Sequence, residues 1–127
     1  MAGERILLVE DNPMNRRVSE FLLKAQGYLV DEARDGQEAL DKVKANPPDL
    51  ILMDLQLPGL DGFAATKKIK QDSSTRHIPV VALTAYAMSG DAERAIQAGC
   101  DGYITKPIDP DEFHKTVAGY LNATRTT

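Results

Sequence analysis

Three short, almost unbroken aliphatic runs constrain this chain more than any other feature: R-I-L-L-V-E at 5–10, D-L-I-L-M-D at 49–54 and I-P-V-V-A-L-T at 78–84. Runs this short and this apolar read as strands covered on both faces. The segments between them have helical spacing instead. Residues 13–26 carry Met14, Val18, Phe21, Leu22 and Ala25 as an apolar side, with Pro13 in the first turn and Gly27 as the stop. Residues 28–34 alternate weakly, as an edge strand does. A helix over 36–46 follows, with Ala39, Leu40 and Val43 on one side, and Pro47-Pro48 forbids its continuation.

The alternation continues to the end. After a loop at 55–60, the pattern predicts a helix over 61–72, the third aliphatic strand, a helix over 89–98 closed by Gly99, and a strand at 103–105. Asp109-Pro110 starts a last helix with Phe113, Val117, Tyr120 and Leu121 inward, and residues 122–127 are expected to fray. Five strand-helix units give a (βα)5 architecture, a doubly wound, flavodoxin-like parallel sheet in the order 2-1-3-4-5. A chain of 127 residues holds one such domain and cannot close an eight-unit barrel. The expected division is a domain over 1–123, a short tail at 124–127 and no output domain.

Charge and composition narrow the function classes. Fifteen Lys and Arg against nineteen Asp and Glu leave a net charge of -4, and no basic run matches a row of phosphates, which disfavours nucleic acid. No uncharged apolar stretch approaches the roughly 20 residues of a membrane span, and the N-terminus lacks the apolar core of a signal peptide. A cytoplasmic location is expected. Cys100 is the single cysteine, so an internal disulfide is impossible, and it reads as a small buried residue rather than a reactive thiol.

In an open parallel sheet, ligands sit beyond the carboxyl ends of the strands, where the strand order reverses. Here strand one ends in Glu10-Asp11, strand three in Asp54, strand four in Thr84 and strand five in Lys106. The buried runs before them direct all five to one rim. Three carboxylates gathered there repel, each close pair by about 4 kcal/mol at roughly 4 Å and an effective dielectric near 20. Either a proton is taken up, or Lys106 pairs with one of them, or a divalent cation binds. Carboxylates with a carbonyl and waters suit Mg²⁺, which we favour, with Lys106 as a second cation. The bland alternative is that Glu10 and Asp11 only cap the first helix, with Asp11 or Asn12 accepting from its N–H groups, but this leaves Asp54 and Lys106 without a role.

A carboxylate beside a divalent cation, with a hydroxyl and an ammonium nearby, is built for in-line phosphoryl transfer. Asp54 is the nucleophile in this reading. Lys106 and the cation neutralise the equatorial oxygens, and Thr84 Oγ1 donates a hydrogen bond to one of them. The product is an aspartyl phosphate. Water access then sets its lifetime, governed by the residues two beyond Asp54 and two beyond Thr84, which are Gln56 and Tyr86. A glutamine is no base, and a tyrosine ring either covers the approach, which makes self-dephosphorylation slow and is the reading we favour, or points outward as part of a partner face.

The motifs I-L-L-V-E-D-N at 6–12, L-I-L-M-D-L-Q-L-P-G-L-D-G at 50–62, V-V-A-L-T-A-Y-A at 80–87 and G-Y-I-T-K-P-I at 102–108 together resemble the receiver domain of two-component response regulators. They span nearly the whole chain. The strings A-L-T-A-Y-A-M and A-G-C-D-G-Y-I-T-K-P-I-D are most similar to receivers of hybrid histidine kinases and of single-domain regulators of the cell-division-control type. The resemblance implies phosphorylation of Asp54 by a sensor histidine kinase or a histidine phosphotransfer protein. It implies Mg²⁺ held by Asp11, Asp54 and the Gln56 carbonyl, with Glu10 behind them, and a switch pair of Thr84 with Tyr103. It also implies a cis peptide at Lys106-Pro107 and a downstream protein target on the face of helix 4, strand 5 and helix 5. The family's frequent Asp-Asp pair is Glu10-Asp11 here. Such a domain catalyses only its own phosphorylation and dephosphorylation.

Other residues carry less. Arg16 and Arg17 read either as a docking pair, since in the family the first helix faces the phosphodonor, or as a solvated basic pair. Met14 and Met88 read as packing residues or partner contacts. His114, on the outer side of the last helix, and His77 lack partner clusters. Gly59 and Gly62 read as turn glycines, because no phosphate-cradling loop pattern is present. An aspartate-nucleophile phosphatase is disfavoured because no acid stands two residues after Asp54, and intact Asp11, Asp54, Thr84 and Lys106 argue against an unphosphorylated interaction module.

Overall fold

A computed structural model describes residues 3–55, 62–84, 90–106 and 108–125. Five parallel strands, β1 (Arg5–Val9), β2 (Leu29–Ala33), β3 (Leu50–Asp54), β4 (Val80–Thr84) and β5 (Gly102–Thr105), form one sheet in the order β2-β1-β3-β4-β5. Five helices alternate with them: α1 (Pro13–Ala25), α2 (Gly36–Ala45), α3 (Gly62–Gln71), α4 (Asp91–Ala98) and α5 (Pro110–Arg125). The expected architecture and strand order are those observed.

The aliphatic runs become the central strands because both of their faces are covered. Every residue of β3 and β4 is buried. Alternate side chains feed two separate cores. Leu7, Val9, Ile51, Met53, Val80 and Ala82 pack with Ala39 and Val43 of α2, Ala65 and Ile69 of α3 and Ala95 of α4. On the opposite face, Ile6, Leu8, Leu50, Leu52, Val81 and Leu83 pack with Leu23 of α1 and with Phe113, Val117 and Leu121 of α5. The register places Asp54 beside Leu83 and Thr84 beside Thr105, so the strands end together at one rim.

Three details differ from the sequence reading. Most of the apolar side of α1 is turned from the core: Met14 is 74% and Phe21 72% exposed and Val18 is also exposed, while Leu22 packs part-buried against the core and Ser19 and Leu23 are buried. The sheet and α5 choose the inward face, and Leu23 with the small Ser19 fits against them. Helix α5 runs to Arg125 and does not fray from 122, since residues 122–125 include no helix breaker. His114 is half-buried rather than outside, and its Nδ1 has no hydrogen-bond partner among the described residues.

At the opposite end of the sheet, Lys70 Nζ donates to the Ile78 carbonyl (2.7 Å) and to Asp101 Oδ2 (2.9 Å), which also accepts from Val80 N (2.8 Å). This clamp ties α3 to the starts of β4 and β5, away from the polar rim. Gly99 ends α4 in the left-handed region at φ 113°, as its glycine predicted. Among the described residues, no helix is long and apolar enough to cross a membrane.

Candidate functional site

Strand β1 delivers Glu10 just past its last residue, where the backbone N–H donates to the Ala33 carbonyl (3.0 Å) and the side chain is buried. Asn12 then caps α1, its Oδ1 accepting from Met14 N (2.9 Å) and Asn15 N (3.1 Å). The cap therefore falls to Asn12, and Asp11 stands exposed at the rim. Asp54 ends β3 only 4% exposed. Thr84 ends β4, buried, and its carbonyl accepts from Lys106 N (2.8 Å), which carries the exit of β5 toward the same rim.

The side chains converge. Lys106 Nζ lies 3.1 Å from Glu10 Oε1 and 3.3 Å from Asp54 Oδ2. One carboxylate oxygen each from Glu10, Asp11 and Asp54 lie within 4.8 Å of one another. Burial pushes the Glu10 carboxyl up to about 7, helped by a hydrogen bond to Asp54 and by the Asp54 charge, with Lys106 opposing. Burial disfavours the Lys106 ammonium, but Asp54 and Glu10 outweigh it and hold its pKa above the usual lysine value. A proton and an ammonium thus both relieve the repulsion among the acids. Three hard oxygen donors so closely spaced, one of them facing solvent, also fit a small divalent cation that keeps part of its hydration shell.

Of the residues singled out in the sequence, Glu10, Asp11, Asp54 and Lys106 form this cluster, and Thr84 ends the adjacent strand. Tyr103 is not part of it: on edge strand β5 it is 46% exposed and lines a cleft with Thr105, Asp109, Glu112 and Thr116. Gln56, Tyr86, Pro107, Met88 and Gly59 lie outside the described residues. Gly62 is not a turn glycine. It opens α3, and a Cβ there would stand 2.3 Å from the Asp54 carbonyl oxygen, so its smallness lets the helix approach the phosphoacceptor candidate.

The basic pair on α1 divides. Arg17 is exposed, whereas Arg16 turns inward, its Nη1 donating to the Glu10 carbonyl (3.0 Å) and its Nε lying 3.2 Å from Glu32 Oε2. No sequence signal separated the two, since both are single basic residues on one helical turn. Cys100 is buried, as expected, and burial pushes its thiol up, which suppresses the reactive thiolate.

Comparison with known proteins places this geometry. The chain is 48% identical over 116 residues to the polar-differentiation response regulator DivK of Brucella anthropi, an alignment covering 91% of this chain and 94% of that protein. The receiver domain of a sensor histidine kinase from Pseudomonas aeruginosa PAO1, with a magnesium ion coordinated in its active site cleft, superposes with a TM-score of 0.90 at 41% identity, covering 95% of this chain and 99% of that one. The chemotaxis response regulator CheY4 of Vibrio cholerae gives a TM-score of 0.87 at 28% identity, covering 94% and 99%. The model of the response regulator receiver domain matches residues 6–118, from the first buried strand into the last helix. With the acidic rim, the sheet order and nearly the whole sequence in agreement, the chain belongs to the response regulator receiver domain family of two-component signalling proteins.

Proposed function

We propose that this receiver takes a phosphoryl group on Asp54 from a phosphohistidine of a sensor histidine kinase or histidine phosphotransfer protein. The observation that carries the reading is Asp54 itself: a buried carboxylate at a strand end, with Lys106 Nζ at 3.3 Å and two further carboxylates beside it. An Asp54 oxygen attacks the phosphorus in line. The P–N bond of the donor breaks as the O–P bond forms, and the imidazole nitrogen leaves with the electron pair.

Asp11 and Asp54, with the Gln56 carbonyl, would hold Mg²⁺, and Glu10 would support them from behind. Bound there, the cation supplies charge neutralisation for the transferring oxygens. Lys106 already lies on Asp54 and needs only a small shift to pair with a phosphoryl oxygen. Glu10, its other partner, keeps that ammonium at the rim. Thr84 Oγ1 donates to a second oxygen.

The output is a change in protein binding. Drawing Thr84 toward the phosphoryl vacates space beside β5 and lets Tyr103 turn inward, which alters the face of α4, β5 and α5. The exposure of Tyr103 and Ile96 on that face supports it as the surface a downstream protein reads. In this reading the chain transfers phosphate only to and from itself, in the cytoplasm, and uses neither nucleic acid nor membrane as partner. Gln56 and Tyr86 control loss of the label.

Incubation with acetyl phosphate and Mg²⁺ followed by borohydride trapping tests the chemistry. Intact-mass and peptide analysis are expected to show one labelled residue, Asp54, and none in Asp54→Asn. Labelling that persists in that variant overturns the assignment.

A further inference from the structure

We propose that Arg16 is a positioning residue for the cation site, acting through the backbone of the acidic pair. The inference rests on the phosphoacceptor reading above and extends it to a side chain that touches none of the reacting atoms.

Arg16 lies one turn into α1 with its side chain only 15% exposed. Its guanidinium spans two elements. Nη1 donates to the Glu10 carbonyl at 3.0 Å, and Nε pairs with Glu32 Oε2 at 3.2 Å. Glu32 lies near the end of edge strand β2, and its own carbonyl accepts from Lys42 Nζ of α2. The fork therefore ties the start of α1 and the Glu10 carbonyl to the neighbouring strand β2, whose backbone at Glu32 is itself held by α2.

The Glu10 carbonyl and the Asp11 N–H belong to one planar peptide unit. Fixing that carbonyl fixes the plane, and with it the directions in which Glu10 and Asp11 leave the backbone. Glu10 has other restraints, with its N–H on the Ala33 carbonyl and its Oε2 accepting from Asn12 N at 3.3 Å. Asp11 is the exposed member of the acid cluster, so its aim depends most on the peptide before it. A planar guanidinium satisfies the carbonyl and the carboxylate together, which the single ammonium of lysine does not reproduce. Groups that orient a metal ligand typically change affinity by about 10- to 100-fold when removed. Acting one peptide away, Arg16 belongs at the lower end.

Calorimetric titration of the full chain with Mg²⁺, without phosphodonor, tests this in wild type, Arg16→Met, Arg16→Lys, Glu32→Ala and the Arg16→Met/Glu32→Ala double variant. Arg16→Met is expected to bind Mg²⁺ about tenfold more weakly. Arg16→Lys should not recover the affinity. Glu32→Ala should lose less, and the double variant should bind no worse than Arg16→Met, because the two act as one unit. With acetyl phosphate, Arg16→Met should need more Mg²⁺ for half-maximal labelling yet reach the wild-type rate at saturating Mg²⁺. A general loss of structure would lower that maximal rate instead.

Wild-type Mg²⁺ affinity in Arg16→Met, full recovery in Arg16→Lys, or a lowered maximal rate overturns the proposal. If Arg16→Met does not fold, unchanged Mg²⁺ affinity in Glu32→Ala overturns it alone. A wild type that binds no Mg²⁺ and leaves Asp54 unlabelled instead defeats the phosphoacceptor reading, and this inference with it.

Discussion

At the residue scale, Glu10 is the group most changed by folding. Its carboxyl rises from 4.5 to about 7, because burial and then Asp54 disfavour its charge more than Lys106 favours it. Folding thus prefers the protonated form. The stability it contributes is fully present below the unfolded value of 4.5 and is lost as pH rises through about 7. In magnesium-free buffer, urea midpoints at about pH 5 and about pH 8 should therefore fall more in wild type than in Glu10→Gln, where this titration is absent. Equal falls would show that Glu10 is already ionised at the lower pH. The sequence disclosed the repulsion among Glu10, Asp11 and Asp54 and three ways to relieve it. Only the packing shows that Glu10 and Asp54 are both withdrawn from water while Asp11 stays exposed, and that burial pushes the Glu10 carboxyl up.

At the element scale, α1 shows where a pattern stops being informative. Spacing identified the helix and its limits, and Asn12 at its start was recognisable as a possible cap. Spacing did not reveal that Met14, Val18 and Phe21 face solvent while Ser19 and Leu23 face the sheet. An apolar stripe has two possible addresses, the core or a partner. Exposed positions contribute little to stability, so Met14→Gln and Phe21→Gln should each change it by no more than about 0.5 kcal/mol. If this stripe receives the phosphodonor protein, both should slow transfer from a phosphohistidine while labelling by acetyl phosphate stays at the wild-type rate. Parallel measurement with the two donors checks this, and equal effects on both would place the stripe's influence on the chemistry rather than on docking.

At the scale of the whole molecule, the strand order ties the site to a distant face, because β4 carries Thr84 at its end and pairs directly with β5, which carries Tyr103. Activation with beryllofluoride and Mg²⁺ should shift backbone amide resonances around Asp54 and also across residues 90–106. Shifts confined to residues 50–61 would break the proposed coupling.

The (βα)5 architecture and the rim of Glu10, Asp11, Asp54, Thr84 and Lys106 were determined by sequence alone, because doubly covered parallel strands need continuous aliphatic runs and whatever polar residue follows such a run must emerge at the sheet edge. Tertiary structure decided what depends on neighbours distant in the chain. It set Lys106 between Glu10 and Asp54, 96 residues from the first of them, turned Arg16 inward while Arg17 faces solvent, and brought Gly62 against the Asp54 carbonyl. Periodicity reports which side of an element is apolar. The direction of a single charged side chain depends on distances and burial that exist only once the sheet is assembled.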